Sequence, residues 1–171
     1  MSDFAYHEMF PLSEVERPFR LLTADHVSVS EFEGKKVLKV ANTALELLAA
    51  EAFRDVSHLL RPQHLEKLSA ILDDPEASDN DRYVAWELLK NAGISAGMVL
   101  PMCQDTGTAI VMAKKGQQIW TDGQDEAALS KGIHRTYDES NLRFSQLAAL
   151  DMFSEVNTGD NLPAQIDIYA T

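Results

Sequence analysis

With 171 residues, 45% hydrophobic and 25% charged, the sequence is long enough for one domain with a proper core and short for two. Twenty-seven acidic against 15 basic residues give a formal charge of −12, which repels nucleic acid and anionic membrane surfaces at long range while leaving a small anion open to capture by a local arginine. No apolar run approaches the ~18 residues of a membrane helix, residues 1–10 lack the basic-then-apolar layout of a signal peptide, and one cysteine excludes an intramolecular disulfide framework, so the chain reads as cytoplasmic.

Residues 1–20, with Pro11, Pro18 and scattered aromatics, have no period and read as an arm over the domain formed by residues 21–171. Val27 to Ser30 alternates like a strand, with Lys36 to Val40 as its partner across a Glu33-Gly34-Lys35 turn. From Thr43 the period becomes helical, with Leu45, Leu48, Ala49, Ala52, Phe53, Val56, Leu59 and Leu60 on one face. Thr43 and Glu46 have capping-box spacing. Pro62 suits the first turn of a second helix with Leu65, Leu68, Ile71 and Leu72 inward. Ser78, Asp79 or Asn80 can cap a third, carrying Val84, Ala85, Leu88 and Leu89 and stopping near Asn91-Ala92-Gly93.

Val99 to Met102 reads as a short strand, and Thr108 to Ala113 as a buried one that turns at Lys114-Lys115-Gly116 into Gln117 to Trp120, a hairpin. Asp125 opens a helix with Leu129, Ile133 and Tyr137 in register, and a further helix is expected over about 141–155. Asn157 to Pro163 is dense in turn formers, and Ile166, Ile168 and Ala170 alternate as a last strand. The sum is an α+β fold, helix-rich, with short mixed or antiparallel strands. A chain that stops in strand pattern reads as the N-terminal fragment of a longer one.

The segment most suggestive of chemistry is Met102-Cys103-Gln104-Asp105-Thr106-Gly107-Thr108. Cys103 has three readings: a small buried hydrophobe, a nucleophile paired with a histidine (His134 is the nearest in sequence), or a soft metal ligand. Asp105 is a general base or substrate partner, or the start of an Asx turn onto Gly107. Arg143 is a carboxylate fork or a solvated helical arginine. The five histidines show no zinc spacing.

Leu22 to Val29, Asp74 to Ser78, Leu100 to Ala109, Asp125 to Leu129, Asn141 to Ser145 and Asn157 to Gln165 together resemble, in collinear order, the class I, iron–sulfur-dependent fumarate hydratases, which are related to the tartrate dehydratase α subunit. The resemblance implies a hydro-lyase interconverting fumarate and malate on a [4Fe–4S] cluster held by three cysteines. Carried over by residue, it makes Cys103 one cluster ligand, Gln104 and Asp105 substrate contacts with Asp105 also catalytic, and Arg143 a grip on a substrate carboxylate. It further implies a C4 dicarboxylate as ligand and a homodimer in the full-length protein. The family's other two cluster cysteines do not occur here, so the isolated chain is expected to carry no cluster and no activity. Two other readings stand beside it: a tartrate dehydratase-type subunit, and a stand-alone domain that binds a carboxylate or a partner without chemistry.

Overall fold

The computed structural model describes residues 3–9, 11 and 19–171. The chain begins with a hairpin, β1 (Val27–Phe32) antiparallel to β2 (Lys35–Val40). Its two-residue turn, Glu33-Gly34, has positive φ at both positions, 49° and 73°, the primed geometry that matches strand twist. Three helices follow: α1 (Asn42–His58), α2 (Pro62–Leu72) and α3 (Asp79–Ser95). After an irregular stretch come β3 (Ile110–Lys115), β4 (Ile119–Trp120) and α4 (Asp125–Glu139), then β5 (Leu147–Ala149), β6 (Glu155–Asn157) and β7 (Gln165–Ala170). The α+β, helix-rich reading with small mixed sheets matches this architecture.

The core lies where α1 and α4 pack on each other and on the β3–β7 sheet. Ala49, Ala109, Leu129, Ile133, Tyr137 and Leu142 are buried together, ringed by Leu45, Phe53, Val111, Phe144, Ala164 and Ile166. Gly132 lets the two helices touch, because a Cβ there would stand 2.2 Å from the Glu46 carbonyl oxygen. Thr136 Oγ1 donates to the Ala50 carbonyl at 2.8 Å across the same contact.

Helix α1 begins without a side-chain cap, so the Thr43–Glu46 box does not form. Glu46 is instead ion-paired with Lys131 at 2.9 Å and Arg135 at 3.4 Å, both on α4. Leu48 and Val56, expected on the inward face, are exposed. Pro62 does open α2, and Ser78 caps α3 in a full capping box with Asp81. Helix α3 runs past the expected stop to Ser95, and the chain leaves it at Met98, whose φ is +61°.

Replacing Ser78 by alanine should lower stability by about 1 kcal/mol. The Ser78 hydroxyl and backbone N–H hold the Asp81 carboxyl below its ordinary value. A carboxyl depressed on folding contributes above its unfolded pKa and stops contributing as pH falls through the folded one. The penalty of Ser78→Ala should therefore shrink below about pH 4, as measured by urea unfolding at pH 7 and pH 3.

Three sequence expectations are corrected. Val99 to Met102 is not a strand; Val99 and Leu100 are exposed, and Met102 is tied instead to Ser57 at the end of α1 and to Asn91 of α3. The 114–120 hairpin does not form. Thr171 takes both backbone partners beside the turn, with Gln117 N–H donating to Thr171 O and Thr171 N–H to Lys115 O, each at 3.0 Å. Strand β3 therefore pairs in parallel with β7, from Ile110 opposite Gln165 to Lys115 opposite Ala170, while β4 joins β2 in parallel.

The helix over 141–155 is also absent. Asn141, φ +50°, ends α4: its N–H reaches Asp138 O at 3.3 Å and the Leu142 N–H reaches Tyr137 O at 2.9 Å. That is a Schellman closure with asparagine in the left-handed position. Beyond it the chain forms the antiparallel pair β5–β6.

The arm is seen in part, since residues 1, 2, 10 and 12–18 (Pro18 among them) lie outside the described residues. Glu8 pairs with Lys114, and Arg20 reaches Glu51 at 3.1 Å and Asp55 at 2.8 Å on α1. No helix among the described residues is long and apolar enough to cross a membrane.

Candidate functional site

The loop from Pro101 to Ala109 leaves α3 and enters β3, and its position is fixed just before the cysteine. The Met102 N–H donates to the Ser57 carbonyl at the end of α1, and the Asn91 amide of α3 donates to the Met102 carbonyl, each at 2.9 Å. Cys103 follows as an exposed free thiol, so its reading as a buried hydrophobe fails. Its sulfur accepts the Asp105 N–H at 3.4 Å. Gln104 and Asp105 are exposed as well. The Asp105 carboxylate makes no Asx turn onto Gly107; it faces the Arg143 guanidinium at 3.9 Å. Gly107, φ +58°, turns the loop back toward the domain.

Beside this loop lies a pocket of about 300 Å³ whose rim carries Cys103, Asp105, Thr106 and Thr108, and whose apolar wall includes Phe53, Val56 and Tyr137. No histidine lines it. His134 sits against the Asp160 carbonyl at 3.4 Å, so the cysteine–histidine nucleophile pair is not assembled. Burial raises the Tyr137 hydroxyl above its ordinary pKa, against a hydrogen bond with Thr106 that lowers it.

Arg143 comes to the same side because the Schellman closure of α4 turns the chain there. Thr106 Oγ1 donates to the Arg143 carbonyl and lies 2.9 Å from Ser145 Oγ. Behind them is Asn161, with 0% of its surface exposed. Its Oδ1 accepts the Ser145 and Gln146 N–H groups at 2.8 Å each, and its Nδ2 donates to the Gly107 carbonyl at 3.1 Å. The loop carrying it is shaped by its own side chains: Asn157 Oδ1 accepts the Gly159 N–H at 2.8 Å and Asp160 Oδ1 the Leu162 N–H at 3.0 Å.

The four sequence-derived site residues thus divide cleanly. Cys103, Asp105 and Arg143 meet on one exposed face, and Gln104 sits between the first two on the same loop. Arg143 occupies an irregular segment rather than a helix. The sequence marked Asn161 as a turn former within the Asn157–Gln165 resemblance segment, without a role of its own; the sign that could have singled it out is an asparagine directly before Leu162-Pro163 in a loop that also holds Asn157, Gly159 and Asp160. Replacing Thr108 by valine removes its 2.6 Å bond to Gln146 Oε1; being exposed, it should cost under about 1 kcal/mol in thermal unfolding.

The donors suit an iron–sulfur cluster in one respect. A lone exposed thiol on a loop with an N–H directed at its sulfur can hold one iron. It cannot hold a cluster alone, and among the described residues no three His, Cys, Asp or Glu side chains gather as a metal site. Any further thiolates for such a cluster would have to come from outside this sequence, which holds one cysteine.

A family description of fumarate hydratase (Fumerase) matches residues 46–171. The chain is 60% identical over 167 residues to the protein named fumarate hydratase class I, aerobic, of Escherichia coli strain K12, and 58% identical over 167 residues to that strain's anaerobic counterpart. It is 60% identical over 145 residues to fumarate hydratase 2 of Leishmania major. These alignments cover 98%, 98% and 85% of this chain but only 30%, 30% and 26% of the relatives. The chain therefore belongs to the fumarate hydratase family and spans under a third of the length of the curated relatives it matches.

Proposed function

We propose that this chain is the portion of a class I hydro-lyase that supplies one thiolate of a [4Fe–4S] cluster and one half of the grip on a C4 dicarboxylate, in an enzyme that interconverts fumarate and (S)-malate. One observation carries the reading: Asp105 contacts both the Cys103 sulfur, through its N–H at 3.4 Å, and the Arg143 guanidinium, through its carboxylate at 3.9 Å. The names borne by the relatives favour fumarate over tartrate as the substrate.

When bound, the cluster supplies a Lewis acid toward the substrate's oxygen atoms. Cys103 would hold one of its irons. Arg143 brings a planar fork that matches a carboxylate, and it concentrates positive charge where the −12 background would otherwise repel a dianion. At 3.9 Å its contact with Asp105 is an ion pair without a hydrogen bond. The fork's N–H groups are thus available to a ligand. Gln104 offers an amide N–H to a second carboxylate or a hydroxyl. Asp105 is the group that can accept the proton lost from an attacking water at its carboxylate oxygens, or orient the malate hydroxyl. The same reading makes the complete protein a cytoplasmic homodimer.

In the anaerobically prepared complete protein, Arg143→Ala should lower kcat/KM for fumarate by roughly 10- to 100-fold, since it removes charge-assisted bonds worth about 1.5–3 kcal/mol each. Asp105→Asn should cut kcat by about 100-fold or more. Both should retain full iron content. Wild-type kinetics in both variants would remove these residues from the site.

A further inference from the structure

We propose that Asn161 is the positioning residue of this site: one buried amide sets the distance between the loop that carries Cys103 and Asp105 and the segment that carries Arg143. This rests on the roles proposed for those three residues. The two segments are far apart in sequence, and no strand or helix joins them. Segment 143–146 has left α4, and the 103–109 loop has not yet entered β3. Their relative placement therefore depends on side chains.

Besides the loose Asp105–Arg143 ion pair, three hydrogen-bonded ties are present. Thr106 Oγ1 bridges to the Arg143 carbonyl and Ser145 Oγ at the partly solvated rim, and Thr108 Oγ1 reaches Gln146 Oε1 at 2.6 Å on the exposed side. Asn161 makes the third from within, fully buried, using both ends of its amide in opposite directions. Oδ1 holds two consecutive N–H groups, two and three residues after Arg143, and Nδ2 holds the carbonyl of Gly107, two residues after Asp105. A planar amide cannot shift toward one segment without lengthening its bonds to the other. Its φ of +58° is a conformation that asparagine tolerates better than most residues, which keeps the amide aimed between them.

The reaction depends on such a fixed distance, because a guanidinium and a reacting carbon held by separate segments lose rate steeply when misplaced by an ångström. Asn161→Asp separates the two halves of the tie. It keeps an acceptor for Ser145 and Gln146 but puts an oxygen against the Gly107 carbonyl. Asn161→Ser, smaller and neutral, serves if the aspartate variant does not accumulate as folded protein.

Two measurements test the role. In the iron-loaded complete protein, Asn161→Asp should lower kcat/KM for fumarate, per iron-loaded chain, by at least about tenfold. In an Arg143→Ala background the same change should cost less than about threefold, because the group it places is gone. Equal losses in both backgrounds would overturn the proposal and leave Asn161 a purely structural residue.

The second readout needs no turnover. In cluster-free protein, Cys103 is alkylated in parallel with iodoacetate and neutral iodoacetamide and followed by mass spectrometry of its peptide. Arg143 attracts the anionic reagent, so the rate ratio reports how near the guanidinium stands to the sulfur, independently of how open the loop is. Asn161→Ser, which adds no charge of its own, should lower that ratio about threefold or more with Arg143 present and leave it unchanged in Arg143→Ala. An unchanged ratio with Arg143 present would overturn the proposal. A wild-type complete protein that fails to hydrate fumarate would remove the functional reading, whereas the alkylation ratio would still decide the Asn161 tie.

Discussion

Gly132→Ala is expected to destabilise the 171-residue chain by about 3 kcal/mol or more, although alanine is the better helix former. The added Cβ would lie 2.2 Å from the Glu46 carbonyl oxygen, 2.8 Å from the Ala49 Cβ and 3.0 Å from the Ala50 nitrogen. Two of those three neighbours are backbone atoms of α1, so no side-chain rotation relieves the clash and the helices must separate. Separation strains the Thr136–Ala50 hydrogen bond and opens the packing of Ile133, which is completely buried. At roughly 2–4 °C per kcal/mol for a domain of this size, the midpoint should fall by about 6–12 °C. Gly93→Ala is the matched control. Gly93 lies inside α3, and a Cβ there meets nothing within 4 Å. It should raise stability by about 0.5–1 kcal/mol. Equal responses at the two glycines would contradict the close approach of α1 and α4.

Cys103→Ser is expected to have the largest effect on chemistry. A hydroxyl is a hard donor that keeps its proton near neutral pH, whereas the iron of a cluster takes a soft, deprotonated sulfur. Cys103 is the sole cysteine of the chain, so no neighbouring thiol in this portion can substitute. The variant of the complete protein should bind markedly less iron and lose fumarate hydration by at least about 100-fold. Its fold should be unaffected, because the side chain is exposed and its one hydrogen bond is a weak N–H to sulfur contact. Circular dichroism together with iron analysis separates the two effects. A variant with wild-type iron and activity would remove Cys103 from the site.

Where sequence and structure agree, the physical signal was local. The alternation of Val27 to Ser30 and a Gly34 turn specify a hairpin that needs only its own residues. Leu129, Ile133 and Tyr137, four apart, place a single stripe of α4 inward, and all three are buried. Ser78 with Asp81 is a cap made within four residues. The failures came where a distant segment decides. β3 looked ready to pair with the next strand, but its partner β7 begins some fifty residues later, and pairing in parallel leaves no local mark. Asn141 was taken to open a helix when it closes one, since asparagine serves both as N-cap and as a left-handed C-terminal residue.

The candidate site divides the same way. Cys103, Gln104, Asp105 and Arg143 were legible through motif resemblance, and the structure brings Cys103, Asp105 and Arg143 to one face. What the motif could not give is the support behind them. Asn161 acts on Gly107, Ser145 and Gln146, contacts that depend on three loops converging and that no periodicity encodes. Nor could composition reveal that Glu46 would abandon a helix cap for Lys131 and Arg135.

In the proposed function this chain contributes Cys103 and Arg143 to a cluster-dependent fumarate hydratase. The most direct measurement is iron content and anaerobic fumarate hydration, followed together on the complete protein before and after exposure to air. The account predicts about four irons per chain, conversion of fumarate to malate, and loss of activity in parallel with iron on oxidation. Fumarate hydration by iron-free protein, or a fully loaded protein without activity toward fumarate, would contradict it.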